Sequence, residues 1–192
     1  MMHQRNRFYM ELPTTVLYGG KRYKLRPAWP NILTALEVLD DRSLPDVMKI
    51  SAAIDLVIAS PHPADAGLLE AAFSELNPGE KNNDKKVIDF RQDWGYIFAG
   101  ILQAYGVDLY NTPRLHWTQL VKMLQSIPDC TKIAEIIKIR QMDIPKPTKY
   151  NAEERAQLSR LKAQFAIKPA QSDIAEGLNN LFNVLAAQAK QK

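Results

Sequence analysis

Thr14-Thr15-Val16-Leu17-Tyr18 and Lys21-Arg22-Tyr23-Lys24-Leu25 flank Gly19-Gly20. A Gly-Gly pair supplies the two positive φ angles of a two-residue hairpin turn. That turn sets Tyr18 opposite Lys21 and Val16 opposite Tyr23. Val16, Tyr18, Tyr23 and Leu25 then share one face, and Arg22 and Lys24 point the other way. An isolated hairpin is marginal in water, so helices must cover its apolar face.

From there on the period is helical. Pro30 fits a first helical turn, ahead of a stripe of Ile32, Leu33, Leu36 and Leu39. A second helix starts around Pro45, carries Val47, Ile50, Ile54, Val57 and Ile58, and is closed by Pro61 and Pro63. Leu68, Leu69, Ala72, Phe73 and Leu76 make a shorter one, ended by Asn77-Pro78-Gly79, and the polar stretch 79–86 reads as a mobile loop. The clearest stripe is Trp94, Ile97, Phe98, Ile101, Leu102 and Tyr105, stopped by Gly106 as C-cap. Thr112-Pro113 opens the next helix, with Trp117, Leu120, Val121 and Leu124 on one side and Pro128 at its end. Asp129 is placed to cap a helix bearing Ile133, Ile136, Ile137 and Ile139, too many for a narrow stripe and so buried on much of its surface. Ile144-Pro145-Lys146-Pro147-Thr148 reads as an extended connector. Asn151 and Glu154 have capping-box-like spacing ahead of Leu158, Leu161 and Phe165. After Lys168-Pro169, Ile174, Leu178, Leu181, Phe182 and Leu185 fall on one face of a final amphipathic helix. The expected fold is therefore mainly α: a helical domain over 1–168 with a small hairpin near 14–25, and a C-terminal amphipathic extension over 169–192.

Composition agrees with a folded chain, since 46% apolar residues suffice for a core. No apolar run approaches the roughly 20 residues of a membrane span, and Met1 to Met10 lacks the apolar stretch of a secretory signal. The single cysteine, Cys130, excludes an intramolecular disulfide and fits a reducing compartment. Charge is unevenly placed: residues 1–111 balance to −2 and residues 112–192 to +6. A basic half suits nucleic acid or an acidic protein, although solvated helix faces give the same count.

Catalytic patterns are missing. His3, His62 and His116 are scattered, Cys130 has no second cysteine, and no G-x-S-x-G, P-loop or G-x-G-x-x-G occurs. Asp40-Asp41 and Glu153-Glu154 are neighbours that a helix turns about 100° apart, so adjacency makes no acid/base pair. His116 reads as a satisfied structural histidine and Cys130 as a small packed thiol. The expectation is a protein without catalytic residues, metal or cofactor.

Tyr96 to Leu109, Leu115-His116-Trp117 and Ile139 to Ile144, in this order, resemble the phage family named for gene product fifteen. Its members show an aromatic helix ending in Tyr-Gly-Ile/Val-Asp-Leu, then Leu-His-Trp opening the next helix, then a helix ending near Arg-x-x-x-Ile. The hairpin with Gly-Gly-Lys-x-Tyr also matches, and the resemblance spans roughly residues 11–168. Thr118 stands where the family often has a second aromatic. The resemblance implies a non-catalytic tail assembly chaperone in the host cell cytoplasm. Such a protein keeps the tape measure protein soluble and helps tail tube subunits assemble around it.

A helical client needs apolar surface to cover. The candidate partner-binding residues are Leu178, Leu181, Phe182 and Leu185 of the final helix, whose ordinary alternatives are docking on the domain itself or on a second copy of the chain. Trp94 and Trp117 are expected in the core. The competing function is a nucleic-acid-binding helical module using Lys132, Lys138, Arg140, Lys146 and Lys149.

Overall fold

The structure is a computed structural model that describes residues 12–77 and 87–168. It is mainly helical, with one two-stranded antiparallel sheet. The stretch 79–86 and the C-terminal extension with Leu178, Leu181, Phe182 and Leu185 lie outside the described residues.

Strands β1 (Thr15–Tyr18) and β2 (Lys21–Lys24) pair as the Gly-Gly turn requires, Val16 with Tyr23 and Tyr18 with Lys21. Gly19 and Gly20 have φ of 54° and 76°, a pair of values that L side chains rarely adopt. Val16, Tyr23 and Leu25 are buried, and Leu17 on the other face is 67% exposed. Tyr18 donates its hydroxyl to Asp65 Oδ1 (3.1 Å), which also accepts the N–H groups of Gly67 and Leu68. That hydrogen bond raises the Tyr18 pKa above its ordinary value.

Beyond β2 the chain stays extended and is pinned on both sides. Arg26 N–H donates to Val57 O, and Ala59 N–H to Lys24 O, each at 2.7 Å. Trp117 N–H donates to Pro27 O (2.7 Å) and Trp29 N–H to Leu115 O (3.0 Å). Residues 25–29 thus form a strap between the end of one helix and the beginning of another, 90 residues further on than Pro27.

The helices of the first compact unit, which runs to Asp143, are α1 (Trp29–Asp40), α2 (Asp46–Val57), α3 (Ala66–Leu76), α4 (Trp94–Tyr105), α5 (Trp117–Gln125) and α6 (Lys132–Gln141). Helices α1 and α2 pack against each other, α3 packs by β1, and α4 lies against α5 and α6. One core joins the hairpin to α1 through α6, among it Val16, Ile32, Ile54, Leu68, Ile97, Leu120 and Ile133. Five local expectations change. Leu36 (37% exposed) yields its inward place to Ala35, and Val47 (77% exposed) lies outside the buried face of α2. Thr112-Pro113 sits in a turn before α5, which begins only at Trp117. Thr131, not Asp129, caps α6, because its hydroxyl reaches Ala134 N–H from the position three residues earlier. Cys130 is exposed in the same turn.

Helix α4 meets α6 at Gly100, where an added Cβ would stand 2.7 Å from Ile133 Cγ2 and 3.0 Å from Ile127 Cδ1. At the head of α4 lies a buried ion pair. Arg140, in the last turn of α6, grips both oxygens of Asp93 at 2.6 and 2.8 Å, and the two side chains are 7% and 2% exposed. Arg140 Nη1 also donates to Val87 O (2.8 Å), and Asp93 Oδ2 accepts Asp89 N–H (2.9 Å). The pair therefore ties α6 to the start of α4 and to the segment leading into it.

The second unit begins at Ile144, and its described part holds α7 (Ala152–Gln164). Asn151 does not cap its own helix. Its side chain instead accepts Thr148 N–H and donates to Lys146 O, both at 2.8 Å, folding the proline connector into a turn. No residue within α7 is buried, Leu158 and Leu161 are half-buried, and Phe165 just past its end is buried.

Removing one partner of a buried pair strands the other, at a cost of about 3–5 kcal/mol. Arg140→Ala is expected to lower unfolding free energy by that amount in urea melts. Asp93→Ala combined with it should add far less than a second such loss, and simple additivity would rule out coupling. Gly100→Ala gains helix propensity but forces Ile133 aside. Overpacking costs about 1–3 kcal/mol against up to ~1 kcal/mol of propensity, so a lowered Tm is the expected result.

Candidate partner-binding surface

Along α4, Ile97, Gly100 and Ile101 face the core. At 100° per residue, Trp94, Phe98, Leu102 and Tyr105 share the adjoining flank, and Tyr96 sits on the opposite one. That flank is wide and only partly covered: Trp94 and Phe98 are half-buried, and Leu102 and Tyr105 are 41% and 38% exposed.

Rings from three segments meet there. Trp29, the first residue of α1, stacks on Trp94 with centroids 5.0 Å apart and planes 27° from parallel. Tyr110, 65% exposed, meets Trp94 edge-on at 6.4 Å and Phe98 at 4.7 Å. The polar edges are tied as well. Trp94 Nε1–H donates to the Tyr110 hydroxyl (3.2 Å), and Trp29 Nε1–H to Thr112 O (3.1 Å). Asp108 holds the turn that presents Tyr110, since its Oδ1 accepts the N–H of Tyr110 at 2.9 Å. Further along, the Tyr105 hydroxyl reaches the carbonyls of Met123 and Ser126 (2.9 and 2.8 Å) at the end of α5. A depression of about 470 Å³ lies against Asn111–Leu115, immediately after Tyr110. Fixed rings with exposed faces suit an apolar helical ligand, because little side-chain entropy remains to be lost on contact.

The polar groups nearby are occupied structurally. His116 is the N-cap of α5: its Nδ1 accepts Thr118 N–H (3.1 Å), which leaves Nε2–H to donate to Pro13 O (3.0 Å). Gln119 returns the bond by accepting His116 N–H (3.3 Å). The expectation of a satisfied histidine is met, and the ring is the neutral Nε2–H tautomer. Thr118 is buried and donates its hydroxyl to Leu76 O at 2.7 Å, which gives its place at the usual aromatic position a physical reason. Trp117 is a core residue as expected, 4% exposed, with Nε1–H on Asn77 Oδ1 (2.8 Å), and Trp94 is half-buried, packed against the core while also meeting Trp29 and Tyr110. Asp41 is exposed, and its carboxyl is held below the usual range by the Ser43 hydroxyl and N–H. Lys132 pairs with Glu135 and Arg140 with Asp93, so two of the five cations singled out for nucleic acid are engaged within the fold. Among the described residues no three His, Cys, Asp or Glu side chains group as metal ligands, and no helix is long and apolar enough to cross a membrane.

The pattern of single apolar residues in α4 was readable. The assembly of Trp29, Trp94 and Tyr110 was not, because it joins residues far apart in sequence. Tyr110, two residues after Asp108, was the one local signal of a presented aromatic.

Burial pushes the His116 pKa below its ordinary value near 6.5, partly opposed by the bond to Pro13 O. The unfolded chain then takes up a proton before the folded one does. The neutral ring's contribution is complete above pH 6.5 and is lost as pH falls from there through the folded value. Protonation also makes Nδ1 a donor and breaks the cap. Urea melts of the protein should weaken between pH 7 and pH 5 more than those of His116→Asn, which keeps a cap acceptor and does not titrate. Equal pH dependence in both proteins would refute this.

The model of the family described as Bacteriophage Gp15 protein matches residues 68–167. No curated protein and no solved structure matches the chain.

Proposed function

The chain belongs to the Bacteriophage Gp15 protein family, and from that premise we propose that it is a tail assembly chaperone: a non-catalytic protein of the host cytoplasm that binds the tape measure protein and helps tail tube subunits assemble around it. The matched region, 68–167, contains α4, Tyr110 and the Asn111–Leu115 depression. The observation that carries the reading is the ring cluster itself. Trp29, Trp94, Phe98 and Tyr110 are locked to one another by stacking and hydrogen bonds, yet Tyr110 remains 65% exposed. A long helical client with apolar stretches fits such a surface, by laying residues at i, i+3 and i+4 against rings held by their neighbours. Leu178, Leu181, Phe182 and Leu185 remain a second candidate for the same task.

Co-expression with the tape measure protein tests the proposal. The wild-type chain is expected to keep that protein soluble and to co-purify with it. Tyr110→Ser with Leu102→Ser should weaken the complex by about tenfold or more, as loss of a central aromatic contact does. Leu178→Asp with Phe182→Asp reports separately on the tail. A tape measure protein that stays insoluble and does not co-purify would overturn the proposed function. Unchanged capture by the Tyr110 and Leu102 variant would move the contact elsewhere.

The nucleic-acid reading is weaker, because Arg140 is withdrawn into the core by Asp93. Nonspecific phosphate binding rests on exposed Lys and Arg.

A further inference from the structure

The hairpin lies outside the region that the family model matches, and its outer face has a chemistry of its own. Arg22, Lys24 and Arg26 fall at every second residue, so successive cations stand about 7 Å apart along one side of the ribbon. All three are exposed. Lys21 adds a fourth positive charge beside the turn, over the Tyr23 ring at 5.2 Å from its centroid. Residues 12–36 contain these four cations and no carboxylate. Among the described residues, none of the three cations of the row makes an ion pair. A single lysine on an exposed strand is a common guard against edge pairing. An uncompensated row of three exceeds that need.

Leu17 stands directly opposite Arg22 in the register, and Thr15 opposite Lys24. An apolar side chain 67% exposed thus sits inside the cationic field. We propose that this face docks an acidic segment of a partner protein, one that sets carboxylates on either side of an apolar side chain. Leu17 decides between the two polyanions that charge alone would admit. A phosphate backbone gains nothing from covering a leucine. Neither ring of the ribbon is free to stack on a base: Tyr23 is turned inward and 6% exposed, and Tyr18, half-buried on the same inner face, holds its hydroxyl on Asp65. A peptide gains from both parts of the face: charge steers it in, and Leu17 is covered as the complex forms. The face is separate from the α4 ring cluster, so the inference stands or falls independently of the proposed chaperone role.

The test is fluorescence anisotropy on the full chain with three labelled probes. These are a dodecapeptide of leucines flanked by glutamates, its glutamine counterpart, and a duplex DNA of about 20 base pairs. The acidic peptide is expected to bind saturably, tighter than about 1 mM, and to weaken with rising salt. Arg22→Glu with Lys24→Glu should reduce its affinity by about tenfold or more, and Arg22→Gln with Lys24→Gln by a smaller factor. Leu17→Ser should cost several-fold without altering the salt dependence. Circular dichroism confirms the fold of each variant, and the milder glutamine pair keeps the test open if charge reversal disturbs the hairpin. The inference is overturned by no binding of the acidic peptide, by equal binding of the glutamine peptide, by unchanged affinity in folded variants, or by DNA binding more tightly than the peptide.

Discussion

Two opposite charges taken almost wholly out of water hold the second half of the first unit in register. Asp93 and Arg140 are useful to the fold only as a pair, because either one alone in that setting is a desolvated charge without compensation. Their fork-to-fork geometry also admits little sliding, since both carboxylate oxygens are engaged. With the head of α4 fixed to the tail of α6, Gly100 comes so close to Ile133 that the helix rotation is fixed too. That rotation determines which flank of α4 carries Trp94 and Phe98 outward. The ring cluster is thus set from behind by an ionic contact that does not itself touch the surface.

What was legible in the chain follows the range of the interactions involved. The hairpin and α4 were readable in detail, register and C-cap included, because a Gly-Gly turn and an i, i+3, i+4 stripe are settled by neighbours within a few residues. Val47 and Leu36 misled for the opposite reason: each fits the helical period, but the core takes the small Ala35 and Ala53 inward and leaves the larger side chains outside. Asp129 was the cap expected, and the turn after Pro128, where Thr131 N–H meets Pro128 O, brings Thr131 to the helix start in its place. Arg140 carried no local sign of burial. It read as one more cation of a basic half until its partner, 47 residues away, was in view.

The surface divides into unlike parts. On α4 and the turn after it, aromatic rings held by one another leave an apolar face. On the hairpin, a row of cations surrounds one leucine. A chaperone of the proposed kind has to release what it binds. A steered, salt-sensitive contact beside a slower apolar one would let arrival and retention be tuned by different residues. Histidine 116 belongs to neither part: as His116 Nδ1 and Nε2 are both engaged, it serves the backbone geometry from which the ring-bearing turn departs.

The strap at residues 25–29 has a consequence for synthesis. Its backbone partners on one side, Val57 for Arg26 and Ala59 for Lys24 just before it, leave the ribosome early, but Leu115 and Trp117 follow some 90 residues after Pro27. Closing so long a loop is slow and must precede the reward of the contact. The nascent N-terminal half therefore waits with one edge of the strap unsatisfied until α5 is made. A fragment restricted to the family-matched stretch would start life with that edge's counterpart, the backbone around His116, facing water.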